Sequence, residues 1–309
     1  MKLRKKLAKW RKQTLSDKIF DIINYTVLTL IGLVCLYPLY YIVIVSFSES
    51  AFGAYLLPNN FTLSGYRMVF GDSEIWRAYL NTIFYTAGSV LFGLFLTIPC
   101  AYALSRDDLP GRGLFMAYLT VTMFVSGGLI PTYLTVQQLH LVNKWPTVIL
   151  MTGVSAYNVI VARTFFQTTI SRDLLEAARL DGCGNGNFLL KIVMPLSKPI
   201  IAVLGLWIGV GRWNSYFTEL VYLRDEKWYP LAMYLKKVLW QVDALRQAIM
   251  NSASNGELGE VTTNMLEQMQ LASVMQYVVI VVSTAPMLVI YPKIQKYFAQ
   301  GVMLGSVKG

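Results

Sequence analysis

Charged side chains are scarce in this chain, and two groups of them are spaced for chemistry. The first lies in "RDLLEAARLD", residues 172–181, where Arg172 and Glu176 are four apart and Glu176 and Arg179 three apart. On a helix that spacing sets an acid between two bases on one face. Ala177 and Ala178 leave little side-chain bulk beside it. Such a surface suits docking, because small residues permit close approach and Glu176 can accept a charge-assisted bond from a partner's arginine. An amphipathic segment that merely joins two helices at a membrane surface has the same composition. The spacing alone leaves both readings open.

The second group lies in "GLWIGVGRWNSYFTEL", residues 205–220, where Arg212, Trp213, Asn214, Tyr216, Phe217 and Glu219 follow a long apolar run. An arginine at membrane depth is a functional candidate by default. Aromatic faces, an amide and charges suit sugar rings, through stacking and hydroxyl hydrogen bonds. The competing reading pairs Arg212 with Glu219 on one helical face and assigns the aromatics to an interfacial belt. A third sets Arg212 against the carboxylate of an acidic saccharide. Tyr157 and Asn158 are further candidates for lining a path.

Little else offers catalysis. The chain has one histidine, His140, and three scattered cysteines, Cys35, Cys100 and Cys183, with no metal-ligand spacing. A membrane enzyme needs a nucleophile–base set or metal ligands, and neither is found. No G-x-x-x-x-G-K-[ST] pattern occurs, so no nucleotide site is expected here.

The elements that position these groups follow from composition. Of 309 residues, 55% are hydrophobic and 14% charged, against about 25% charged in an ordinary soluble domain. That balance points to an all-α membrane protein. Six stretches reach spanning length, at roughly 25–47, 79–104, 114–134, 146–168, 198–222 and 271–292. The third carries two glycines and Pro131 near its end. The net charge of +10 does not indicate nucleic acid, because eight of the 27 Lys and Arg fall within the first 18 residues. They read as an anchor at the membrane surface. With that end inside, the inner segments hold sixteen Lys and Arg and the longer outer segments eight. The asymmetry places both termini in the cytoplasm.

Residues 1–24 are therefore expected to be a basic cytoplasmic segment, 25–292 the six-helix membrane domain and 293–309 a cytoplasmic tail. Within the domain, 169–197 is an inner loop and 223–270 a long outer one. The outer loop's flanks, "YPLAMYLKKVLWQV" and "VTTNMLEQMQLAS", are expected as short amphipathic helices around a polar excursion at 251–260. Gln137, Gln138 and His140 are expected in an outer loop. Gly205 and Gly209, four apart, suit close helix packing. In the inner loop, Gly182 suits the left-handed residue that ends a helix and Asn185-Gly186 a second turn. Ser197 suits a cap, with Pro199 in the first turn of the next span.

The inner loop also resembles a known signature. Glu176-Ala177-Ala178, then Gly182, then nine residues to Ile192 and finally Pro195 is similar to the EAA loop of ABC-importer permeases, with Met194 where that pattern has leucine. The swap conserves volume. "LYPLYYIVIVSFS", "NTIFYTA", "AYALSRDDLPGRG", "RTFFQTTISRDLLEAARLDG" and "YFAQGVMLGSVKG" extend the likeness over nearly the whole chain, toward the second permease subunit of the carbohydrate-uptake class. "SGGLIPTYL" and the long outer loop are similar to permeases of complex-oligosaccharide uptake.

The resemblance implies a non-catalytic subunit in a bacterial cell membrane. It implies a heterodimer with a second permease, two ATPase subunits using ATP and Mg inside, and a solute-binding protein outside. It makes the loop helix between spans 4 and 5 a coupling helix seated on an ATPase through Glu176, Ala177, Ala178, Arg179, Asp181 and Gly182, with Pro195 completing the motif. An ABC permease for a non-sugar solute remains an alternative, as does an ion-coupled secondary transporter. The latter would want paired acids buried in the spans, and the spans lack them.

Overall fold

The computed structural model of the protein describes residues 14–51, 53, 56–254 and 260–303. Among them the secondary structure is helical, apart from one isolated antiparallel bridge between Ser48 and Phe61. The basic cluster at 1–13 and part of the polar excursion, 255–259, lie outside the described residues.

In chain order the helices are α1 (Leu15–Ser46), α2 (Ser64–Gly71), α3 (Ser73–Ser105), α4 (Arg112–Phe124), α5 (Leu129–Gln138), α6 (Trp145–Leu150) and α7 (Ala156–Thr169). They continue as α8 (Arg172–Leu180), α9 (Asn185–Leu196), α10 (Lys198–Trp213), α11 (Phe217–Tyr222), α12 (Leu231–Ser254) and α13 (Glu260–Met303). Among the described residues three are long and apolar enough to cross a bilayer: α1, α3 and the Asn264–Ile290 part of α13. Two bent pairs, α4 with α5 at 114° and α9 with α10 at 83°, bring the total to five if each counts as one span.

Of the six expected spans, the fourth is two helices. Its apolar run breaks at 151–155, where Gly153 turns back on Leu150 O and the Ser155 side chain caps a new helix at Asn158 N. The third span bends at Val125–Gly128, and Gly128 there adopts φ 79°. The two amphipathic helices expected around 251–260 are not short pieces. The first belongs to α12, and the second is the start of the 44-residue α13. Gln137 and Gln138 fall in the last turn of α5, while His140 sits in the following loop at φ 55°.

The chain divides into two compact units, Met1–Val69 with Gln241–Val281 and Phe70–Trp240 with Val282–Gly309. In the first, the C-terminal end of α1 is pinned where Ser46 Oγ meets Tyr66 Oη at 2.9 Å and Phe47 stacks on Phe61. Gly65 of α2 leaves room for Val274 and Val278 of α13, which a Cβ would meet at 3.1 and 3.0 Å. The rest of α1 is bare. Only 6% of its most apolar window is buried, a surface for lipid or another membrane chain.

In the second unit α3 is the hub, packed against α6, α7 and α10. The packing is close because the facing residues are small. A Cβ on Gly209 would lie 3.4 Å from Val90 and one on Gly205 3.6 Å from Leu94, as the four-residue spacing anticipated. The core joins Ile98, Ala101 and Tyr102 of α3 to Val159, Ala162 and Phe166 of α7 and to Leu204 of α10. Ala178 of α8 and Phe188 of α9 belong to the same cluster.

Candidate functional site

Helix α8 begins and ends as its sequence dictates. Ser171 caps it by accepting Leu174 N at 3.3 Å, and Gly182 closes it at φ 74°, a left-handed conformation that suits glycine. Asn185-Gly186 does not form a further turn, because Gly184 serves as the N-cap and helix restarts at Asn185. Over Leu189–Val193 the winding loosens to π, with Met194 N reaching back to Leu189 O. Pro195 supplies no N–H, so the ordinary ladder is interrupted there. Ser197 stands at the N-cap of α10 without bonding it, since its φ/ψ of −100°/13° is not the extended geometry that capping needs.

The two faces of α8 differ. Ala178 is buried, and Leu174 and Leu175 pack on the core. Glu176, Ala177 and Arg179 are exposed, as are Asp181 and Gly182. Leu180 is the most exposed large apolar side chain of the molecule's described residues, at 89%. Of the six residues expected at a docking surface, Ala178 is thus turned inward by its place on the helix. Leu180 was not singled out from sequence, although it stands four residues after Glu176, on the same side of the helix.

The expected pairs within α8 do not form. Arg172 instead reaches Asp107, and Arg179 Nη2 lies 2.5 Å from Asp108 Oδ2. Among the described residues no salt bridge or side-chain hydrogen bond engages Glu176. The Arg106 and Arg179 guanidiniums hold the Asp108 carboxyl below its ordinary range. Arg112 and Arg172 do the same for Asp107.

The second candidate group straddles a helix break at Asn214–Tyr216. Arg212 Nη1 lies 2.8 Å from Glu219 Oε1, with the side chains 7% and 1% exposed. Ser215 Oγ donates to Glu219 Oε2 at 2.9 Å, and Arg212 Nη2 donates to Thr152 Oγ1 at the break between α6 and α7. Trp213 is buried too, donating to Ser283 O at 3.0 Å. Asn214, Tyr216 and Phe217 are exposed at the break. Tyr157 is half exposed, with its ring 5.7 Å from Trp207, and Asn158 is partly buried on α7. The eight path candidates therefore separate into a packed set and an open set. Arg212 is already neutralised, the reading that pairs it with Glu219.

No family model matches this chain. It is 36% identical over 299 residues to the polygalacturonan/rhamnogalacturonan transport system permease protein YtcP of Bacillus subtilis (strain 168), across 96% of this chain and 100% of the relative. It is 35% identical over 300 residues to Protein LplC of the same organism, across 96% and 97% of the two chains. Among solved structures, a bacterial ABC transporter involved in the import of the acidic polysaccharide alginate contains a chain with TM-score 0.80 at 34% identity, matching over 93% of this chain and 99% of that one.

Proposed function

This chain belongs to the permease subunits of bacterial ABC importers of carbohydrates, and on that footing we propose that it forms half of the translocation path for an oligosaccharide. It is an integral protein of the bacterial cell membrane. The observation that carries the mechanism is α8, a short helix seated on the core by one face and presenting Glu176, Ala177 and Leu180 with no partner among the described residues. Its geometry supports docking over a plain connector, because a connector has no use for an unpaired acid beside a bare leucine.

In this reading both termini are cytoplasmic and six segments cross the membrane, the third bent and the fourth and fifth each broken into two helices. A second, homologous permease completes the path, and the bare length of α1 supports a membrane partner. Two ATPase subunits consume Mg-ATP inside, and this chain does no chemistry. When the ATPases close, they carry α8 with them. Packed helices respond by switching between discrete arrangements rather than by bending. A solute-binding protein delivers cargo on the outer face, near His140 and the 223–270 segment.

Asn214, Tyr216, Phe217 and Tyr157 are the open residues suited to sugar. Arg212 and Glu219 hold the break that displays three of them. The cargoes named for two of the compared proteins, polygalacturonan/rhamnogalacturonan and alginate, make an acidic oligosaccharide the first to test. Its carboxylates need a counter-charge other than Arg212, which Glu219 already satisfies.

The test is uptake into proteoliposomes holding both permeases and both ATPases, with the binding protein outside and Mg-ATP inside. Acidic and neutral oligosaccharides are compared. Accumulation that requires ATP and ignores proton and sodium gradients supports the reading. Accumulation driven by a gradient without ATP contradicts it.

A further inference from the structure

The loop between α3 and α4, "RDDLPGR" at residues 106–112, carries more charge than a turn needs, and it is built as a stiff shelf. Arg106 forks onto Asp108, with Nε to Oδ1 at 2.8 Å and Nη2 to Oδ2 at 2.7 Å. A planar fork on a carboxylate fixes orientation as well as distance. The same guanidinium donates through Nη1 to Tyr102 Oη at 2.8 Å, and its side chain is 10% exposed. Tyr102 lies in the core cluster of α3, with its ring 6.3 Å from that of Phe188. Arg112 closes the other side, with Nη1 2.5 Å from Asp107 Oδ1. Arg163 of α7 donates to Leu104 O at 3.1 Å in the last turn of α3.

Two adjacent carboxylates on this shelf hold two arginines of α8. Asp107 takes Arg172 and Asp108 takes Arg179. The arginines are seven residues apart, two turns of helix, or about 10 Å along its axis. One pin would leave the helix free to swivel on its apolar face. Two pins at opposite ends fix its rotation and its position along the axis together.

We propose that Asp107 and Asp108 are positioning residues that clamp the coupling helix to α3, so that force applied at Glu176 and Leu180 moves α3 rather than rocking α8. This rests on the coupling role proposed above for α8. An exposed ion pair adds little to stability, so the clamp contributes orientation, not folding energy. The connected chain runs from the outer face of α8 through Arg179, Asp108, Arg106 and Tyr102 into the core of α3. Helix α3 is in turn packed on α6, α7 and α10, where the breaks near Thr152 and Arg212 lie.

The experiment compares wild type, Asp108→Asn, Asp108→Glu, Arg179→Gln and the Asp108→Asn/Arg179→Gln double variant in the complete reconstituted complex. The readout is oligosaccharide imported per ATP hydrolysed, beside the melting temperature. Asp108→Asn is expected to lower that ratio about tenfold at unchanged melting temperature, as expected for a pair that adds little stability. Asp108→Glu recovers most of the loss. Because Arg179 also faces the ATPase, the double variant decides whether the two act as a pair. Adding Asp108→Asn to Arg179→Gln costs nothing further if they do, and the losses multiply if they do not.

A second measurement needs no transport. With Cys35 and Cys100 replaced by serine, maleimide labelling of Cys183, the partly buried thiol just after α8, reports how firmly the helix is seated. Asp108→Asn is expected to speed labelling about fivefold, as local opening becomes easier. A wild-type import ratio in Asp108→Asn, multiplied losses in the double variant, or unchanged labelling would overturn the clamp. Absence of ATP-driven uptake in the wild-type complex would instead count against the importer reading, while the labelling result would still decide whether α8 is clamped.

Discussion

Arg212 and Glu219 form an ion pair across a helix break, Nη1 to Oε1 at 2.8 Å, buried to 7% and 1% side-chain exposure. A pair this dry is costly to assemble and far more costly to leave half made. Glu219→Gln strands the guanidinium and is expected to lower unfolding stability by about 3–5 kcal/mol. Replacing both partners with apolar residues of similar volume is expected to restore most of it. Thermal unfolding of the purified complex measures both. Equal losses in the single and double replacements would mean that packing around these side chains, not charge, holds the break.

At Gly182 the demand is conformational. Its φ is 74°, and no atom lies within 4 Å of where a Cβ would stand. Gly182→Ala is therefore expected to cost about 1–2 kcal/mol through backbone strain alone. Gly182→Asn should cost less, because asparagine tolerates this region better. Melting curves of the two variants separate strain from crowding, since crowding would penalise the larger asparagine more.

Leu180 is 89% exposed, so its removal should leave folding within about 0.5 kcal/mol of wild type. In a complex it becomes buried apolar surface. Leu180→Ser is expected to weaken association with the ATPase about tenfold, on the burial value of a leucine side chain. Unchanged affinity, measured with the purified ATPase, would remove Leu180 from the docking surface.

Both arginines beside Asp108 depress its pKa below the ordinary 3.8. A carboxylate whose folded pKa is lowered contributes fully above the unfolded value and loses that contribution as pH falls through the folded one. The clamp is thus complete at neutral pH and releases only in strong acid. An NMR titration of the Asp108 carboxyl is expected to show a midpoint under 3.8, moved upward by Arg179→Gln. A midpoint at the ordinary value would mean that the pairs do not persist in solution.

Local chemistry made part of this legible in sequence. Glu176, Ala177 and Gly182 announced a short helix with a left-handed end, because each states its own requirement within a few residues. The small-residue pair Gly205 and Gly209 announced a close helix contact for the same reason. The break at 151–155 did not announce itself. "TVILMTGVSAYNVIVA" carries no charge and is mostly apolar, so hydropathy reads one span where a serine cap starts a second helix. The partners of Arg172 and Arg179 were also hidden. The neighbour rule offered Glu176, four and three residues away, whereas the actual acids are Asp107 and Asp108, brought close only by packing of α3 against α7 and α9. Arg212 and Glu219 were legible as a pair, though not the fact that the helix breaks between them.

Glu176 is exposed and, among the described residues, an unpaired acid. Glu176→Lys reverses its charge on a surface where no described residue depends on it, so the subunit should remain in the membrane and assemble with its partner permease. ATP-driven oligosaccharide uptake by vesicles holding that complex is the most direct measurement of whether α8 couples the ATPases to transport. Uptake at background level, with membrane content unchanged, is the predicted result. Uptake at the wild-type rate would contradict a coupling role for α8.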